Sequence, residues 1–174
     1  MSLLHTLARA AMALALATPA AMAADGTAPP AERTVDEMVE QLATRPATTT
    51  RGLRNLVPVV RQIDLVVPFD FDSARLQAAS RPQLQRLAEA MNSPRLVATR
   101  FKVQGHTDAK GAAAYNDDLS ARRARAVADF LQTQGVTVDR LQAEGKGASE
   151  LLDPARPESP DNRRVRIVAM EPTP

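Results

Sequence analysis

The sequence contains no cysteine and no tryptophan, and among its 174 residues it has only four phenylalanines and one tyrosine. Without cysteine there is no disulfide framework and no lipid-modified cysteine at a processing site. A cysteine-free chain is at ease in an oxidising compartment such as a periplasm. Scarce aromatics leave no row of base-stacking platforms, which argues against nucleic acid as a partner. The pI near 9.5 does not reverse this: 22 basic residues face 20 acids, and 19 of the basic residues are arginine. Only His5 and His106 could add imidazole, too few for a zinc set with conventional spacing. No serine sits in a G-x-S-x-G elbow and no glycine-rich phosphate loop follows a strand. These absences point to a protein that binds, with no metal, no cofactor and no catalysis.

A membrane-spanning run is also missing. The apolar segment at the N-terminus extends for about fifteen residues and contains Pro19, short of the roughly 20 that a helical span requires. His5 and Arg9 precede the apolar Ala10–Ala17 stretch, and Ala21-Met22-Ala23 fits a small-x-small cleavage site. Residues 1–23 therefore read as a signal peptide, with the mature chain starting near Ala24 and exported to the periplasm.

Residues 24–57 read as a linker with one short amphipathic helix. Thr34 and Glu37 form a capping box, Val35, Met38, Val39 and Leu42 fall on one face, and Pro46 limits the helix to 34–44. That helix either docks on its own domain or offers its apolar face to a partner. The leader over 24–60 is the expected attachment to an envelope or secretion assembly.

Alternation from Ile63 to Phe71 predicts a first strand, with Pro68 marking an edge or bulge. A helix capped by Ser80 and Gln83 follows and stops before Pro94. Leu96–Gln104 reads as the second strand. Leu119–Gln134 is a second long helix, N-capped by Asn116 or Asp117 and closed at Gly135. Leu141–Gly145 and Val165–Ala169 read as the third and fourth strands, separated by a proline-bearing loop over 146–160. Helices between strands require crossovers. The fold class is thus α+β, a mixed four-stranded sheet with helices packed on one face.

Three ordered blocks carry a family likeness. They are Val67-Pro-Phe-Asp-Phe-Asp-Ser-Ala-Arg-Leu76, Gly105-His-Thr-Asp108 with Arg123 fifteen positions beyond the aspartate, and Asn162-Arg-Arg-Val165. Together they resemble the OmpA-like peptidoglycan-binding domain, over residues 58–170. The resemblance implies a βαβαβ-type sandwich that holds meso-diaminopimelate of the peptidoglycan stem peptide. It implies that Asp108 takes the ligand ammonium and Arg123 its carboxylate. Asp72, Thr107, Asn116 and Arg163 are similar to the family's secondary contacts. Each also has a plain structural reading: Asn116 as a helix cap, Thr107 as a local backbone partner, Arg163 as a brace for the loop. Arg122 is expected to pair with Asp118, Phe71 to be buried or to line an apolar wall, and His106 to act as a hydrogen-bonding strut. The function these blocks imply is that of a wall-bound periplasmic adaptor; the alternative is a protein–protein scaffold with little wall affinity.

Overall fold

The computed structural model of the chain describes residues 33–43 and 61–170. The expected signal peptide and most of the expected linker lie outside the described residues. Among the described residues, no helix is long and apolar enough to cross a membrane.

The leader helix α1, Val35–Leu42, begins with the expected reciprocal capping box: Glu37 N–H donates to the Thr34 hydroxyl and Thr34 N–H to the Glu37 carboxylate. Its Met38, Val39 and Leu42 are buried in the same apolar core as the sheet and helix α2, Arg81–Asn92. Docking on its own domain is therefore what this helix does. It also covers a sheet edge. The Gln41 side chain and the Arg33 guanidinium donate to the carbonyls of Gln62 and Asp64 in strand β1, Gln62–Leu65. Those carbonyls would otherwise be open to pairing with another chain.

The sheet is mixed, in the order β1-β4-β2-β3, where β2 is Arg100–Gly105, β3 Leu141–Gly145 and β4 Val165–Met170. β4 runs antiparallel to both β1 and β2, and β2 runs parallel to β3 across helix α3, Ala113–Thr133. Ile63, Leu65, Phe101, Val103, Val165 and Ile167 face the helices. The α+β architecture expected from the sequence is the one observed.

Several boundaries differ from expectation. β1 ends at Leu65, although the alternation continues to Phe71, because Pro68 has no N–H for a ladder and the chain turns back instead. Phe69 bridges to Leu76 within that turn. β2 starts at Arg100 because residues 94–98 form turns that bury Leu96. Ser80 does not cap α2 with its side chain; it closes a short 3-10 turn, and its hydroxyl donates to the Pro68 carbonyl. α3 begins at Ala113, earlier than expected, and Asn116 lies inside it rather than at its cap. The alanines at 112–114 are strong helix formers and let the helix extend without a capping side chain.

The site depends on how closely α3 approaches the strand ends. A Cβ on Gly105 would lie 2.2 Å from the Ser120 carbonyl oxygen, and one on Gly145 would lie 2.6 Å from the Ala121 nitrogen. Only glycine lets the helix backbone rest on the ends of β2 and β3. That contact fixes where the next turn of α3 presents Arg123.

Candidate functional site

The chain leaving β2 at Gly105 turns over the end of the sheet. His106 N–H donates to the Arg164 carbonyl at 2.9 Å, and Thr107 N–H to the Gly147 carbonyl at 2.8 Å. Asp108 follows, its side chain 12% exposed. One of its oxygens accepts from Lys110 N–H at 3.2 Å, and the other pairs with Arg163 Nη1 at 2.8 Å. The carboxylate is therefore partnered by Arg163, which arrives from the start of the last strand 55 positions later, and not by Arg123. Asn116 fixes the turn from below, its amide donating to the carbonyls of Asp108 at 3.3 Å and Lys110 at 3.0 Å.

Arg123 faces the same turn from α3. Its Nε donates to the Ser73 carbonyl at 3.0 Å, and its guanidinium carbon stands 5.0 Å from the centre of the Phe69 ring. This seat is a cation–π stack braced by one backbone carbonyl. No carboxylate of the described residues lies within ion-pair distance of it. Burial first, then the nearby Arg163 charge, pulls its pKa below the ordinary arginine value, against the opposing fields of Asp72 and Asp108. The guanidinium stays charged, but the site supplies it with too little negative charge. Its neighbour Arg122 points away and pairs with Asp118 at 2.8 Å, as expected.

Asp72 occupies the tip of the 69–76 loop with φ 51°, in the left-handed region, and accepts a hydrogen bond from the Tyr115 hydroxyl. Thr107 is 2% exposed and its hydroxyl has no partner, so it does not serve the local backbone. Phe71 is not core; it is 98% exposed. His106 is not a strut either, for it is buried and neither ring nitrogen is hydrogen-bonded. Burial pushes its pKa down to about 4, with the charges of Arg164 and Arg166 acting the same way.

A cleft of about 500 Å³ joins these groups. All six residues singled out in the sequence line it: Asp72, Thr107, Asp108, Asn116, Arg123 and Arg163. Phe69, Asp70, Lys110, Tyr115 and Leu119 also line it, and sequence reasoning missed them. The Phe69 signal was present, since an aromatic two residues before Phe71 in the first block must share its loop. Lys110 and Tyr115 carried none beyond proximity to Asp108 and Asn116. Among the described residues no group of three His, Cys, Asp or Glu could hold a metal ion.

The order of these elements, the glycine contacts and the Asp108–Arg123 cleft invite comparison with known proteins. Residues 68–166 match the OmpA family. The chain belongs to the OmpA family. Outer membrane porin F of Pseudomonas aeruginosa is 38% identical over 137 residues, covering 75% of this chain and 38% of that protein. Outer membrane protein 40 of Porphyromonas gingivalis is 37% identical over 139 residues, covering 76% and 34% respectively. The chain thus spans well under half the length of those two relatives. Among solved structures, the peptidoglycan-associated lipoprotein from Burkholderia pseudomallei superposes with a TM-score of 0.51 at 31% identity, covering 60% of this chain and 88% of that one. The OmpA-like domain of FopA1 from Francisella tularensis gives 0.54 at 21% identity, covering 68% and 81%, a likeness of fold.

Proposed function

We propose that the OmpA domain of this chain binds peptidoglycan non-covalently, gripping the side-chain end of meso-diaminopimelate, and that the protein acts as a periplasmic wall adaptor. The observation that carries the reading is Arg123, a stacked guanidinium anchored through Nε, with no carboxylate of its own and a carboxylate, Asp108, in the same cleft. Diaminopimelate carries an ammonium and a carboxylate on one carbon. A planar guanidinium grips such a carboxylate through paired N–H donors, and Asp108 accepts from the ammonium. Arg163 holds the Asp108 carboxylate in place before the ligand arrives. The Thr107 hydroxyl, buried and unpartnered at the cleft wall, offers one further hydrogen bond. The structural relative whose name records peptidoglycan association supports the same assignment.

We place the wall-binding domain at residues 58–170, with α1 completing its core, and the signal peptide at 1–23, with export to the periplasm. The test is sedimentation with purified sacculi of two chemistries. Lysine-type walls lack the side-chain carboxylate, so Arg123 finds no partner there. Strong co-sedimentation with diaminopimelate walls and weak co-sedimentation with lysine walls is expected. Equal sedimentation with both would sink the diaminopimelate mechanism. Sedimentation with neither would favour the reading of the domain as a protein–protein scaffold.

A further inference from the structure

The two edges of the sheet are finished differently. At β1, Ala169 N–H donates to the Arg61 carbonyl at 2.8 Å, and this register turns the backbone groups of Gln62 and Asp64 outward. Gln41 and Arg33 close that edge by donating to the two outward carbonyls. β3 is the opposite edge. There Lys146 N–H donates to the Gly105 carbonyl at 2.9 Å, so in the parallel ladder Gln142 and Glu144 bond toward β2. Leu141, Ala143 and Gly145 turn their backbone groups the other way. Leu141 N–H is taken by the Val138 carbonyl. Among the described residues, no hydrogen bond reaches the Leu141 carbonyl or the outward groups of Ala143 and Gly145. Ala143 is exposed, and β3 contains neither the lysine nor the proline that blunts an open edge.

A second copy of β3 fits this edge. Antiparallel pairing about a two-fold axis at Ala143 sets Ala143 opposite its own copy, Leu141 opposite Gly145, and Gln142 opposite Glu144. Leu141 then lies across from a residue with no side chain to collide with it. Gln142 is exposed, and its amide has no partner among the described residues. Glu144 accepts from Gln104 at 3.1 Å and from Lys146 at 3.0 Å, and a carboxylate has lone pairs for a further donor. Each Gln142 can therefore donate across the axis to a Glu144. The guarded edge decides how far such pairing runs. β3 against the β1 of a neighbour would be a head-to-tail contact that propagates. With Gln41 and Arg33 on β1, only the self-pairing of β3 remains, and it closes at two copies.

We infer that β3 is a dimerisation edge, on which a second copy of this chain adds its own β3 antiparallel and continues the sheet across both copies. The inference holds whatever the cleft binds. In such a dimer the two clefts, each beyond the C-terminal end of β2, face opposite ways. One strand edge is a small interface, so the dimer is weak, with Kd of about 10 to 100 µM. Sedimentation equilibrium of the exported protein across that range should show the mass rising from monomer toward dimer. Ala143→Pro removes the outward N–H and no bond of the internal ladder, so it should keep the circular dichroism of wild type and weaken association at least about tenfold. Ala143→Lys and Ala143→Glu each set like charges opposite one another at the axis, and each alone should remain monomeric. An equal mixture of the two should associate again, because the facing charges are then opposite. That restoration decides the matter even where the proline variant fails to fold. A wild type that stays monomeric throughout overturns the inference. A dimer of wild-type strength in folded Ala143→Pro or Ala143→Lys places the interface elsewhere and overturns it too. A mixture of the charged variants that stays monomeric removes the two-fold at Ala143.

Discussion

Two charged regions of this domain are built from the same residue types and could hardly be more different in how they spend them. On the sheet face away from the helices, Asp64 receives Arg166 through two hydrogen bonds, at 2.8 and 3.2 Å, and Arg164 through a third at 3.2 Å. Arg166 also reaches Glu150 at 3.4 Å, Glu150 meets Lys146 at 3.3 Å, and Lys146 meets Glu144 at 3.0 Å. Every charge in that chain has a counter-charge. Burial pushes the Asp64 pKa up, but the hydrogen bonds and charges of Arg166 and Arg164 overcome it and hold the carboxyl below its ordinary value. In the cleft, by contrast, Arg123 is fixed by a carbonyl and a ring and lacks an anion. The first region is complete in the free protein; the second leaves Arg123 without a counter-charge, the one the proposed ligand would supply. On that proposal the difference separates stability from binding, and each can be broken alone.

The largest effect belongs to the complete network. Asp64→Ala leaves Arg164, whose side chain is 2% exposed, without its carboxylate. Stranding a buried charge costs about 3 to 5 kcal/mol, so a large fall in Tm is expected. Binding to sacculi at a temperature where the variant remains folded should be unchanged. Loss of binding by folded Asp64→Ala would show that the two regions are coupled.

His106 lies beneath the same network and faces the charges of Arg164, Arg166, Glu150 and Asp64. Its folded pKa of about 4 is below the ordinary value near 6.5, so the unfolded chain takes up the proton first. Stability is therefore full above about pH 6.5, declines as pH falls toward 4, and the total loss is about 3 kcal/mol. Asp64 acts lower. Its depressed folded pKa contributes stability above the unfolded carboxylate value, lost as pH falls below about 4. Denaturant midpoints recorded from pH 7.5 to 4 should slope downward in wild type. His106→Gln should flatten that slope whatever its stability at neutral pH. An unchanged slope would mean that another group titrates.

In the cleft the expected loss is of binding, not of fold. Arg123→Ala or Asp108→Ala should weaken sacculus binding by at least about 2 kcal/mol, more than tenfold, with a small change in Tm. The double variant should be scarcely worse than either single one, because both groups hold one ligand head. Full binding by folded Arg123→Ala would make the unpartnered guanidinium irrelevant and erase the functional half of the comparison.

Much of this was legible in the sequence because it depends on local pattern. The capping box of α1, the strand alternation of Ile63 and Leu65 and the fifteen-residue interval from Asp108 to Arg123 are all short-range signals, and all six expected cleft residues do meet. What escaped depends on contacts between distant positions. Nothing near Asp108 announces that Arg163, 55 residues on, occupies its carboxylate. Asn116 looks like a cap because asparagine caps helices well. Its amide instead serves two carbonyls of the preceding turn, which no propensity encodes. Phe71 alternates like a core residue, yet the strand has already ended at Leu65, so its parity no longer tells which way it points. His106 looks like a hydrogen-bonding strut because it opens a polar turn, yet only its backbone N–H is engaged, by the Arg164 carbonyl, and its ring is buried without a partner.

The smallest effect is the sharpest control, because it differs from the third experiment by one position. Arg122 and Arg123 are adjacent on α3, and successive helix residues point about 100° apart. Arg122 pairs with Asp118 one turn back, with side-chain exposures of 44% and 63%. An exposed pair at that spacing is worth about 0.3 to 0.5 kcal/mol and is screened by salt. Arg122→Ala should therefore shift Tm by no more than a degree or two and leave sacculus binding at the wild-type level, at low and moderate ionic strength alike. If the site merely needed positive charge on this stretch of helix, removing either arginine would weaken binding to a similar degree. A tenfold loss from Arg122→Ala would establish that, and a seat shaped for one guanidinium would no longer describe the cleft. Wild-type binding by Arg122→Ala beside lost binding by Arg123→Ala assigns recognition to orientation, which the Phe69 ring and the Ser73 carbonyl give to Arg123 alone of the two.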